Sequence, residues 1–92
     1  MTKHVVYLLQ SEKDGNYYIG QTSDLDRRFK MHQEGEVKST TNRRPLRLVG
    51  YKLFSSREDA RYFEYQLKHH SDKKRKFIKE MLRPSGPEAR TQ

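Results

Sequence analysis

The chain has no cysteine, which excludes a disulfide framework and a thiolate zinc site. It is also poor in aliphatic residues. Leu, Ile, Val and Phe fill 18 of 92 positions, about one fifth, close to the composition of chains that do not fold. No apolar run approaches the roughly 18 residues that cross a bilayer, and the N-terminus lacks the apolar stretch of a signal peptide. These absences lead to the expectation of a cytoplasmic protein without a membrane partner. Acidic residues are in deficit: 20 Lys and Arg stand against 12 Asp and Glu, for a net charge of +8. That balance favours a polyanionic partner, nucleic acid before an anionic membrane, over a merely solvated basic surface. What the chain does have is six Tyr, three Met and clear local patterning, enough for one folded domain with a thin core.

Residues 4–11 read as a strand, and Asp14-Gly15 signals a hairpin with Tyr17 to Gln21 as the return strand. A two-residue loop at Asp14-Gly15 pairs Lys13 with Asn16. Odd positions of the first strand then share a face with even positions of the second. Tyr7 and Leu9 thus join Tyr18 and Gly20, while Val6 and Leu8 join Tyr17 and Ile19. Ser23 is the expected N-cap of a helix from Asp24 to about Glu34, with Asp24 and Asp26 suited to its dipole and Gly35 as its stop. Its inward stripe is Leu25, Arg28, Phe29 and His32. Residues 36–45 form a polar, basic loop, and Leu46 to Phe54 a third strand. Ser55 or Ser56 caps a helix from Arg57 to His69 with the stripe Ala60, Phe63, Leu67. Ser71 caps a last helix, Asp72 to Leu82, that buries Phe77, Ile78, Met81 and Leu82. The expected fold class is α+β, an α/β sandwich. A small, mainly antiparallel three-stranded sheet is flanked by helices in the order ββαβαα. The domain spans 1–83, with 84–92 as a loose C-terminal tail.

Five polar residues interrupt these apolar stripes: Tyr7, Tyr18, Arg28, His32 and Glu64. Polar groups on buried faces are costly unless paired, so five together point to a site. Glu64 is the one carboxylate placed on an inward face. A single carboxylate is a poor cage for zinc but an acceptable holder for Mg²⁺, which keeps several waters. The competing reading pairs Glu64 with Arg28 in an ion pair that only braces two helices. Arg28 can clamp a phosphate with its planar fork. Helical phase favours it over Arg27, and its bland alternative is an arginine snorkelling over apolar neighbours. His32, one turn after Arg28, either relays a proton or is a satisfied histidine at a helix end. His69 and His70 read as solvated. Gly20 permits close packing or the approach of substrate.

The order and context of these residues resemble the GIY-YIG nuclease superfamily, in particular small standalone members and the N-terminal nuclease domain found in excinuclease. The first motif stands as Val5-Val6-Tyr7 and the second as Tyr18-Ile19-Gly20, inside the run from Tyr17 to Phe29. The likeness extends to about Leu82. It implies a Mg²⁺- or Mn²⁺-dependent endonuclease that hydrolyses DNA phosphodiester bonds, with a structure- or damage-related role in repair or recombination. It further implies that Tyr7 takes a proton from, or orients, the attacking water, that Tyr18 holds that water or the phosphate, and that Glu64 holds the metal. A nearby Arg28 would favour the Tyr7 phenolate. Lys38, Arg43, Arg44 and Arg47 in and after the basic loop, with Lys73, Arg75, Lys76 and Lys79 on the last helix, are the expected contacts to the nucleic-acid backbone. The sequence departs from the family at Val5, where the family name has glycine. It also lacks the late asparagine of larger members, because Asn16 and Asn42 come early. Two alternatives therefore stay open: a non-catalytic nucleic-acid-binding domain of the same fold, and a domain whose specificity comes from a protein partner.

Overall fold

Strand β1 (His4–Ser11) lies at the centre of a three-stranded antiparallel sheet in the order β2-β1-β3, between β2 (Tyr17–Thr22) and β3 (Leu46–Phe54). The computed structural model describes residues 3–83, so the expected tail at 84–92 lies outside the described residues. Helix α1 (Leu25–Gln33) follows β2, and α2 (Arg57–His69) and α3 (Ser71–Leu82) follow β3. A single 3₁₀ turn, Thr41–Arg43, interrupts the long connection before β3. The architecture is the α+β sandwich in the expected order ββαβαα.

The central strand is buried on both faces, which is why Val5, Val6, Tyr7, Leu8 and Leu9 form an unbroken apolar run. On one face Val6, Leu8 and Ile19 pack with Ala60 and Leu67 of α2 and Phe77 of α3. On the other, Val5, Tyr7, Leu9 and Leu46 pack with Tyr18 and with Leu25 and Phe29 of α1. Each face carries its own small cluster, so the chain folds with few aliphatic residues by sharing one central strand between two thin layers.

The hairpin differs from expectation in a way that preserves its faces. Val5 pairs with Thr22, Tyr7 with Gly20 and Leu9 with Tyr18, and Ser11 hydrogen-bonds across to Asn16. The loop is therefore four residues, Glu12 to Gly15, and not two. The Ser11 hydroxyl takes up the Lys13 and Asp14 amides (3.1 and 3.2 Å), and Gly15 adopts φ 78° at the turn's end. That is the left-handed region that glycine enters without penalty. A register change of two residues keeps side-chain parity, so Tyr7 and Tyr18 stay on one face and Tyr17 on the other.

Three further details depart from the sequence reading. The N-cap of α1 is Asp24, whose carboxylate accepts from the Arg27 amide at 3.2 Å, and not Ser23. Both neighbours are good caps, and the chain uses the one that also adds negative charge at the helix N-terminus. Ser71 is the first residue of α3, and His70 stands in the cap position without a side-chain bond. Leu82, expected inside, is half exposed at the end of α3. In α2, Ser56 is the cap, accepting from the Asp59 amide at 3.0 Å.

Candidate functional site

The pairing of Tyr7 with Gly20 builds the centre of the site. The Tyr7 ring lies directly over Gly20, where a Cβ would fall 2.6 Å from the phenol's Cζ. Gly20 is thus required for packing of the Tyr7 phenol, and close packing rather than substrate approach accounts for the glycine. The phenol then meets His32 of α1: Tyr7 Oη and His32 Nε2 are 2.9 Å apart, and both side chains are fully buried. On the other side of the imidazole, Nδ1 lies 2.7 Å from Oγ1 of Thr40, itself buried. The Thr40 hydroxyl donates to the Val37 carbonyl at 3.4 Å. Read from that end, the chain of bonds sets the tautomer. Thr40 gives its proton to Val37 and accepts from His32 Nδ1–H, so His32 Nε2 accepts from the Tyr7 O–H.

Burial dominates the protonation of this chain. It pushes the Tyr7 phenol up to about 12, outweighing the neighbouring Arg28 guanidinium, which acts in the opposite direction. Arg28 favours the phenolate, as expected, but burial outweighs it and the phenol keeps its proton at neutral pH. Burial and the neighbouring Arg28 guanidinium push His32 down from 6.5 to about 4. The imidazole is accordingly neutral in the folded protein.

A stability prediction follows. In the unfolded chain His32 takes up a proton near pH 6.5, whereas in the folded protein it does so near pH 4. Between those values the unfolded state holds the extra proton, so stability is highest above pH 6.5 and falls as the pH drops towards 4. At roughly 1.4 kcal/mol for each pH unit of displacement, the loss is about 3 kcal/mol. Thermal or urea melts between pH 7.5 and 4.5 should show this slope, and His32→Gln should flatten it. A wild-type stability that does not vary over that window would mean that His32 is not held neutral.

Arg28 projects from α1 towards both motif tyrosines. The neighbouring Tyr7 and Tyr18 phenols push its pKa up, so it is a permanent cation here. Its Nε is buried and has no hydrogen-bond partner among the described residues. An unmet donor on a buried cation is costly, and it is the kind of group that an anionic ligand satisfies. Tyr18 completes this face, with ring centroids 6.4 Å from Tyr7 and 5.3 Å from His32.

Glu64 approaches from the other layer. β2 is an edge strand, and α2, which packs on the opposite sheet face, also contacts it. The charge of Glu64 acts on Tyr7, and Lys68, one turn further along α2, places Nζ 5.7 Å from the Tyr18 ring centroid. The helix-bracing pair between Glu64 and Arg28 is not formed. Glu64 Oε2 instead meets Lys68 Nζ at 3.1 Å. Among the described residues no group of three or more His, Asp or Glu side chains could enclose a metal. The donor set is one carboxylate, which suits a hydrated hard cation that takes its other ligands from water and phosphate.

The structure thus brings Tyr7, Tyr18, Arg28 and His32 together, and the charge of Glu64 acts on Tyr7 from α2. It adds two that the sequence reading missed. Thr40 hides in a Ser-Thr-Thr-Asn run that carries no periodicity. Lys68 was legible in principle, since it lies four residues after Glu64. The basic residues are more scattered. Arg43 braces the hairpin turn, with Nε 3.7 Å from Asp14, Nη2 3.4 Å from the Tyr17 carbonyl, and its own carbonyl accepting from Ser11 Oγ at 2.7 Å. Arg44 Nε donates to the Thr41 carbonyl at 2.9 Å, and Arg47 Nη2 to Gln10 Oε1 at 2.7 Å. Lys38, Arg75, Lys76 and Lys79 are exposed, and Lys73 Nζ donates to Gln66 Oε1 at 3.0 Å.

The sheet thus carries two tyrosines on one face, with an arginine and a histidine on the following helix and a glutamate on a later one. Residues 3–77 match the GIY-YIG catalytic domain, and the chain belongs to that family. Among its relatives, it is 47% identical over 73 residues to the UPF0213 protein BH0048 of Halalkalibacterium halodurans, covering 78% of this chain and 77% of that one. It is 36% identical over 83 residues to the UPF0213 protein YazA of Bacillus subtilis, covering 89% and 83%. The solution NMR structure of BH0048 from Bacillus halodurans is similar, with a TM-score of 0.55 and 41% identity, covering 92% of this chain and 88% of that one. No helix among the described residues is long and apolar enough to cross a membrane.

Proposed function

We propose that this protein is a divalent-metal-dependent endonuclease that hydrolyses DNA phosphodiester bonds, acting on structured or damaged DNA in repair or recombination in the cytoplasm. The observation that carries this reading is the convergence of Arg28, with its unmet buried Nε, on the two tyrosines that the Glu64 charge also reaches. The partly exposed Arg28 guanidinium would donate to a non-bridging phosphate oxygen through its terminal nitrogens. Tyr7 has its O–H committed to His32, so its oxygen lone pairs are left to accept a hydrogen bond from the attacking water. Thr40 fixes the imidazole, and the imidazole fixes the phenol, so the water is held by a buried, preorganised group. Tyr18 lines the opposite side of the same space and would contact the water or the phosphate. Mg²⁺ or Mn²⁺ bound at Glu64 would neutralise phosphate charge and acidify a water. Lys68 shares Glu64 with that cation and keeps the carboxylate from standing as an unpaired anion in the resting protein. The attacking water would lose its proton to solvent, and the leaving oxygen would take one up from solvent.

The basic residues Lys38, Arg43, Arg44 and Arg47, with Lys73, Arg75, Lys76 and Lys79, would supply affinity through backbone phosphates. If about four to six are neutralised, duplex binding should fall with salt at a log–log slope of about −3.6 to −5.4. The deciding experiment is a cleavage screen of branched, flapped, nicked and single-stranded DNA with Mg²⁺ or Mn²⁺ and with EDTA, beside a salt titration of binding. Metal-dependent cuts on at least one substrate are expected. Salt-sensitive binding with no cut on any of them would instead favour the non-catalytic domain. Binding that is flat across salt would remove nucleic acid as the partner and leave the protein-docking alternative.

A further inference from the structure

On the far flank of α2 from Glu64, a cavity of about 370 Å³ opens between β3, α2 and α3. Its volume falls within the roughly 300–1,000 Å³ of small-ligand sites. On a helix of 100° per residue, Tyr62 and Gln66 both stand about 160° around α2 from Glu64, so the cavity is separate from the nuclease site. Its floor is apolar and rigid: Phe63 packs edge-on against the buried Phe77, with centroids 5.5 Å apart. One wall is the Tyr62 ring, which is 66% exposed. That exposure leaves the ring open to a stacking partner.

The rim is cationic. Lys52, Lys73 and Lys76 line the opening, against Glu80 as its one carboxylate. Two of the three ammonium groups are held in place: Lys52 Nζ sits 5.0 Å from the Phe63 ring centroid, and Lys73 Nζ donates to Gln66 Oε1 at 3.0 Å. An aromatic surface framed by fixed lysines is the combination that binds unpaired nucleotides. Each base stacks on a ring, and the adjoining phosphates meet the positive rim. A duplex cannot use it, because its bases are already stacked and paired.

We infer that this groove binds single-stranded nucleic acid, with a base stacked on Tyr62 and its flanking phosphates on Lys73 and Lys76. The inference rests on the proposed function only in taking nucleic acid as the partner. It gives a physical reason for the protein to prefer DNA with an unpaired segment beside the duplex, and it assigns Lys73 and Lys76 to that segment.

The test is fluorescence anisotropy in EDTA, with labelled oligothymidylate of twelve nucleotides and, separately, a blunt duplex. Working without metal makes the outcome independent of whether the protein cleaves. Tyr62→Ala should weaken the single strand about 5-fold or more and the duplex less than about twofold, while Tyr62→Phe should match wild type. The double variant Lys73→Gln, Lys76→Gln should flatten the single-strand salt slope by about 1.4, from roughly 0.7 per phosphate. Oligothymidylate bearing 5-iodouracil should photocrosslink to the peptide that contains Tyr62 and Phe63. Unchanged single-strand affinity in Tyr62→Ala, equal losses on both substrates, or crosslinks only elsewhere would overturn the groove. None of these results would bear on cleavage.

Discussion

Glu64→Gln should abolish metal-dependent cleavage and leave DNA binding at least as tight as in wild type. The amide is nearly isosteric but has no charge with which to hold a hard cation. Affinity should survive because the contacts that supply it are the basic ones. It should even rise slightly, since Lys68 loses the carboxylate it meets at 3.1 Å and becomes a free cation beside Tyr18. Stability should barely change. The Lys68 side chain is 48% exposed, and exposed pairs of this kind contribute about 0–1 kcal/mol. The informative measurement is therefore three assays on one variant: cleavage, binding and melting temperature. Loss of cleavage alone supports a catalytic metal site. Loss of all three would make Glu64 a structural residue, and cleavage at the wild-type rate would take it out of the site.

Tyr7→Phe should lower the cleavage rate by about 10²-fold, the scale on which a displaced reacting group costs rate. It should also destabilise the fold by about 1–3 kcal/mol, because the buried His32 Nε2 loses its donor. Gly20→Ala should reproduce the rate loss by a different route, by pushing the phenol away from His32. Tyr17→Phe is the control. Its ring packs on the opposite face with Val6 and Ile19, and its rate should stay close to wild type. A Tyr17→Phe rate as low as that of Tyr7→Phe would mean that the hydroxyls on both faces matter, and the site would have to be redrawn.

The five stripe residues were legible because they break a periodicity. A charged or hydroxyl-bearing side chain stands out on a strand or helix whose neighbours are apolar. The faces of the hairpin were legible even though its loop was not. Ser11 and Asp14 prolong the turn with side-chain bonds that no propensity records, yet the resulting shift of two residues left parity intact. A shift of one would have sent Tyr18 to the wrong face. Thr40 was not legible, because a threonine in a polar loop looks the same whether it faces solvent or an imidazole. The bulge that leaves Val49 unpaired between Leu48 and Gly50 gave no local signal either. The pull of Arg28 on the Tyr7 phenol was legible from helical phase, but the burial that outweighs it was not, because spacing says nothing of depth.

Tyr7 and His32 are among the largest fully buried side chains in the molecule, and they belong to its hydrophobic interior as much as to its site. A relative without hydrolytic activity would still need them to fill that volume. Arg28 and Glu64 are only partly buried, and no packing demand would hold them. When sequences of this kind are sorted into working enzymes and retired ones, the tyrosine and histidine are therefore poor witnesses. Arg28 and Glu64, which packing does not require, are the residues whose loss would date the retirement.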